Sequence, residues 1–187
     1  KKGVHFRWLR KDERPAVTCE CPLIRVPMAL GIFRLRILLP SDWHAWSAEK
    51  LQAVIAHEQT HIQRADGAVI FLAELNRCLY WFHPVAWWLR SQLGQLAETA
   101  CDDAAIDCTG DRAMYARHLL EIAAIVSDRR GRLVSVGISM ARRSHVETRI
   151  NDILDFTRPL SKRLTRTSAV FLCGALISLI TLAAAVQ

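Results

Sequence analysis

The stretch Val54-Ile55-Ala56-His57-Glu58-Gln59-Thr60-His61-Ile62 decides how the rest of this 187-residue chain is read. Leu51, Val54, Ile55 and Ile62 give it the buried face of a helix. On that helix His57 and His61 stand one turn apart on the same side. Two imidazoles so placed can hold one zinc ion at about 2.0–2.1 Å. Glu58, next to the first of them, can reach a water on that ion without binding the ion itself. That is the position of a general base in metal-assisted hydrolysis. Ser47 suits the N-cap, Glu49 suits the positive first turn, and Gly67 offers an exit. H-E-x-x-H arises by chance on the order of once per hundred or more chains of this size, so the flanks must carry the argument.

The totals narrow the classes. Twenty-five Lys and Arg against 18 Asp and Glu leave a net charge of +7. The basic residues gather near the two ends, and no helix-turn-helix, zinc-finger or RNP-like pattern occurs. Direct nucleic-acid binding is therefore not expected, and an anionic membrane surface is the better partner for the charge. The six cysteines, Cys19, Cys21, Cys78, Cys101, Cys108 and Cys173, do not form a secreted disulfide framework. Two of them fall on predicted helices and one in an apolar segment, which favours free thiols in a reducing compartment. Cys19-x-Cys21 has no second pair and makes a weak zinc site. The chain begins at Lys1 and reads as a piece of a longer protein.

Outward from the motif, residues 1–18 form a basic, broken segment that suits a juxtamembrane position. Residues 22–40 alternate short apolar runs with turn formers, and Leu35, Ile37 and Leu39 alternate with Arg34, Arg36 and Leu38. The pattern predicts two short strands around a turn near Gly31, with an exposed edge that could take an extended peptide. Residues 68–89 are apolar but carry Glu74, Asn76, Arg77 and Pro84, which excludes a span. A buried core helix breaking near His83-Pro84 is expected there, with Trp81, Trp87 and Trp88 in the core rather than at a bilayer surface. Helices follow over 91–108 and 114–126, then a basic loop through Arg129-Arg130 to Arg142-Arg143, then a short helix over 146–156. Finally Ser168–Gln187 is 20 residues without a charge, preceded by Arg158, Lys162, Arg163 and Arg166. It predicts a transmembrane helix whose N-terminal side is cytoplasmic.

Two histidines leave a hydrolytic zinc site one ligand short. Glu98 is the best third ligand, because Glu98 and Asp102 share one helix face and Asp102 can then accept the N–H of a ligating histidine. Glu74 is the rival, unless it pairs with Arg77, and Asp66 could also brace a histidine from behind. Tyr80, His83, Tyr115 and His118 are candidate oxyanion stabilisers by residue type, of which His83 and Tyr115 are put first.

The ordered run Arg36-Ile37-Leu38-Leu39-Pro40, His57-Glu58-Gln59-Thr60-His61, Arg64-Ala65-Asp66, Trp81-Phe82-His83-Pro84 and Glu98-Thr99-Ala100-Cys101-Asp102 resembles the BlaR/MecR-type antirepressor metallopeptidases. These are bacterial membrane zinc proteases of the gluzincin class, and the resemblance covers about residues 22–155. It implies His57, His61 and Glu98 as zinc ligands and Glu58 as catalytic base. The fold expected is mainly α (α+β): a gluzincin-like helical metallopeptidase domain over 19–160 with a small antiparallel β-hairpin. A basic flank and C-terminal transmembrane helix over 161–187 complete the expectation. The implied protein is the cytoplasmic protease domain of a sensor-transducer at the bacterial inner membrane. Its partners would be membrane lipid and a protein substrate, either a transcriptional repressor or the chain itself, with cuts at Arg129-Arg130 or Arg142-Arg143. Two alternatives compete: a quality-control protease for membrane proteins, and a non-catalytic scaffold whose zinc is closed by four protein ligands.

Overall fold

The structure, a computed structural model, describes residues 17–31, 35–128 and 136–160, without the side chains of 126–128 and 136–144. Three short strands come first: β1 (Val17–Glu20), β2 (Met28–Leu30) and β3 (Arg36–Leu39). The sheet order is β1-β3-β2, with β3 in the middle. β2 runs antiparallel to β3, Met28 opposite Leu38 and Ala29 opposite Ile37, as the alternating pattern predicts. Gly31, at φ 103°, supplies the left-handed residue where the chain leaves β2. β1 was not expected. It pairs parallel to β3, so the sheet is mixed and not a simple antiparallel hairpin. Only Thr18 of β1 is buried, so the strand carries no alternation to read. It also begins inside the stretch read as a basic juxtamembrane segment.

A 3₁₀ turn over Ser41–Ala45 leads into α1 (Ala48–Arg64). Ser47 caps it, its Oγ accepting from the Lys50 N–H at 3.2 Å. The helix is buried on two sides. Val54, Ile55 and Ile62 pack on Ile37 and Leu39 of β3, while Ala53 joins Ala105, Ile106, Tyr115, Ala116 and Ile153. α1 ends at Ala65, not at Gly67, with Ala65 left-handed at φ 55°. The cause lies beyond backbone preference: the next residue, Asp66, opens α2 (Asp66–Leu79) with its carboxylate held by Arg64 and His61. Gly67 therefore lies within α2.

The break near His83-Pro84 is present. His83 Nδ1 accepts from the Val85 N–H at 3.3 Å and Pro84 takes the first helical position of α3 (Pro84–Thr109). The helix expected at 91–108 is the second part of this 26-residue element, which ends at left-handed Gly110. The burial expected for 68–89 does not hold. Phe71, Leu72, Leu75, Leu79, Trp81, Phe82, Trp87 and Trp88 are all exposed, because α2 and the start of α3 pack on each other with one side uncovered.

α4 (Arg112–Asp128) and α5 (Val136–Leu154) close the bundle. α5 starts ten residues before the short helix expected, so Arg142-Arg143 lies on helical backbone and not in a loop. Arg129-Arg130 lies outside the described residues, as do 1–16 and the apolar segment 168–187. Among the described residues no helix is long and apolar enough to cross a membrane. The fold is mainly helical with a small mixed sheet.

Candidate metal centre

α1 and α3 make the most extensive helix pairing. The face that α3 buries carries Ala97, Cys101 and Ala105 at four-residue spacing, and α1 answers with Ala53. Small residues on both sides let the axes approach closely. Glu98 and Asp102, each one position along from that stripe, are thereby brought against His57 and His61.

The two imidazoles meet Nε2 to Nε2 at 3.2 Å. Glu98 Oε2 lies 3.7 Å from His57 Nε2, and its Oε1 lies 3.7 Å from His61 Nε2. The other ring nitrogens face away, each toward a carboxylate. His61 Nδ1 is 2.9 Å from Asp66 Oδ2. His57 Nδ1 is 3.3 Å from Asp102 Oδ1 and 3.0 Å from the Tyr115 hydroxyl. Those acceptors favour a proton on both Nδ1 atoms and leave both Nε2 lone pairs aimed at one point.

That donor set fits a divalent cation. Two nitrogens bound tetrahedrally to one zinc at about 2.0–2.1 Å are about 3.3 Å apart, close to the spacing here. Glu98 needs only a small side-chain swing to complete a third contact. Glu58 lines the same cleft, of about 1690 Å³, as His57, His61, Glu98 and the strand residues Met28, Ala29 and Leu30. Glu74 stands apart from the group: it pairs with Arg77 at 2.7 Å and with Arg90 at 2.8 Å. A second group among the described residues, His61, Asp66 and Cys101, could also hold a cation. Burial pushes the Cys101 thiol far above its ordinary value, with the Asp66 charge adding to it, which disfavours the thiolate that a metal ligand requires. Cys101 is a poor ligand as it stands.

Electrostatics behind the ligand face are strong. Burial opposes a charge on His57, yet hydrogen bonding and attraction from Asp102, with Glu58 and Glu98 nearby, raise its pKa. Burial also opposes the charge of Asp102, but His57 and Arg149 hold its carboxyl well below the usual range. Burial and the Asp102 charge push the Tyr115 phenol well up, so it donates its O–H to Asp102 at 2.7 Å. The hydroxyl of Tyr115, a first choice for stabilising an oxyanion, is thus engaged between Asp102 and His57, although the residue lines the cleft. His83, the other first choice for that task, is an exposed helix cap outside the cleft wall.

Sequence reasoning missed Arg149 on α5. Its guanidinium reaches Asp102 with Nε to Oδ2 at 2.8 Å and Nη2 to Oδ1 at 2.6 Å, and its Nη1 reaches Glu98 Oε2 at 2.8 Å. No local spacing links residue 149 to residues 98 and 102.

Comparison with known proteins now bears on the geometry. The family described as BlaR1 peptidase M56 matches residues 10–153. The chain belongs to that family. Regulatory protein BlaR1 of Bacillus licheniformis is 27% identical over 167 residues, covering 87% of this chain and 28% of the relative. The chain thus spans little more than a quarter of that relative, and the family match includes the whole of α1 to α4 and most of α5.

Proposed function

We propose that the chain is a zinc-dependent endopeptidase domain, over about residues 19–160, in which His57, His61 and Glu98 hold the metal and Glu58 is the catalytic base. The observation that carries this reading is the convergence of two Nε2 atoms and one carboxylate on a shared point, each imidazole backed by its own acid. When bound, a zinc ion held by these residues would supply the Lewis acidity that activates water near neutral pH and polarises a scissile carbonyl. Glu58 takes the proton of the attacking water and passes it to the leaving amine. Asp66 and Asp102 keep both histidines in the tautomer that presents Nε2. Of the residues named for stabilising the developing negative charge, His118 is the one left: it is buried and lines the cleft, with its Nδ1 3.7 Å from the Glu121 carboxylate.

The substrate is an extended peptide. Among the described residues β2 is an edge strand of the sheet, and its residues share the cleft wall with His57 and Glu58. An extended segment added along β2 would run past the metal. Three protein donors and an open cleft favour a hydrolytic centre over a structural one, which four protein ligands would close.

Similarity to a regulatory protein favours a dedicated signalling role over general quality control. In that reading residues 168–187 cross the bacterial inner membrane, the protease domain is cytoplasmic, and cleavage or loss of a transcriptional repressor is the output. Glu58→Gln tests the chemistry: the variant should keep its zinc and lose peptide cleavage. Cleavage surviving that change would remove Glu58 from the mechanism.

A further inference from the structure

The α2–α3 hairpin presents an apolar surface with no part in the metal centre. Phe71, Leu72, Leu75 and Leu79 form an exposed stripe at helical spacing on α2. It runs into the turn, where Trp81 is 68% exposed and Phe82 65%, and on to Val85, Trp87 and Trp88. Between Cys78 and Leu89 no residue is charged, and five are aromatic. Phe71 and Arg90, at the base of the hairpin, line the cleft, but none of residues 72–89 does, so the outer part of the surface is a projecting turn and not a groove for a peptide. Just behind the tip stand two guanidiniums. Arg77 lies over the Trp87 ring at 4.4 Å, and Glu74 ties Arg77 to Arg90 across the two helices.

We propose that this hairpin is an interfacial membrane contact, its tip seated among lipid headgroups. An uncharged, indole-rich tip with cations at its base is the pattern that a bilayer boundary favours. α2 has 14 residues, about 21 Å of helix, against a hydrocarbon core of about 30 Å, so the hairpin dips in and does not cross. The same chain carries the uncharged 20-residue segment 168–187 behind a basic flank, which would keep the domain beside a bilayer. The contact rests on that proposed tether for its proximity to lipid. Ten residues of α3, about 15 Å, separate Trp88 from Glu98. A seated hairpin would thus keep the cleft close to the membrane surface, where juxtamembrane segments of a substrate run.

The test is tryptophan quenching in the full chain reconstituted into phosphatidylethanolamine–phosphatidylglycerol vesicles. Segment 168–187 contains no Trp, so the tether is silent in this readout. Lipid brominated near the headgroup should cut wild-type emission by about half, since three of the six tryptophans sit at the tip. The W81F/W87F/W88F variant should lose most of that effect, and lipid brominated near the bilayer centre should quench less. Quenching by aqueous acrylamide alone would put the hairpin in water and overturn the proposal. Protection from both quenchers would also overturn it, because a second copy or segment 168–187 would then be the cover. Flotation with the vesicles tests the tether separately: chain that floats with unquenched indoles keeps the tether and loses the hairpin contact.

Discussion

Arg149 reaches from α5 to two acids at once, Asp102 through two hydrogen bonds and Glu98 through one. Asp102 is almost fully buried, so removing its cation strands a charge that His57 and Tyr115 only partly satisfy. Arg149→Leu should cost about 3–5 kcal/mol in urea unfolding, the usual result of breaking a buried pair from one side. The pH sign follows from the lowered pKa of Asp102. Its contribution is full above the ordinary carboxylate value and is lost only as pH falls through the lower folded value. Arg149→Leu raises that folded value, so acid loss should begin at a higher pH than in the wild type. Unfolding curves between neutral pH and pH 3 that superimpose for the two proteins would contradict this. At His118 the expectation is kinetic: His118→Ala should lower kcat about 10²–10³-fold with zinc content unchanged. An unaltered kcat would remove it from the reaction.

Helix ends show where the sequence speaks and where it is silent. Ser47, His83-Pro84 and Gly110 mark boundaries through local capping chemistry, and the first two were legible as such. Ala65 was not, because its left-handed turn is imposed by what Asp66 binds in the folded state. Ala65→Gly should therefore stabilise the fold by about 0.5–1 kcal/mol, since glycine adopts this conformation without a Cβ clash. A destabilised variant in chemical denaturation would show that the turn carries no strain. β1 was illegible for a different reason. A strand with one buried residue has no period, and its parallel partner β3 lies beyond the intervening β2. The α2–α3 hairpin was misread because hydropathy measures how apolar a face is and not whether protein covers it. His57, His61 and Glu98, by contrast, could be nominated together: one pair lies on a helical period, and the acid lies on a second helix with an inward partner one turn on.

In the whole molecule, α1 is the shared wall between two cores, the sheet packing on one side and α3, α4 and α5 on the other. The candidate metal group, His57, His61 and Glu98, lies where α1 meets α3, so its geometry depends on the principal helix contact. Arg149 and Arg158 extend that dependence to the end of α5, with Arg158 pairing Asp103 and Arg112 holding the Arg158 carbonyl at 3.0 Å. The described chain is thus a metallopeptidase-family domain whose α3, which carries Glu98 and Asp102, is clamped from several sides. The central claim is that one cation sits among two imidazoles and one carboxylate. Zinc X-ray absorption on the loaded chain tests it most directly. Nitrogen and oxygen neighbours alone at about 2.0–2.1 Å, with zinc lost in Glu98→Ala, are the predicted result. A sulfur neighbour at about 2.3 Å would move the metal to His61, Asp66 and Cys101 and contradict the account.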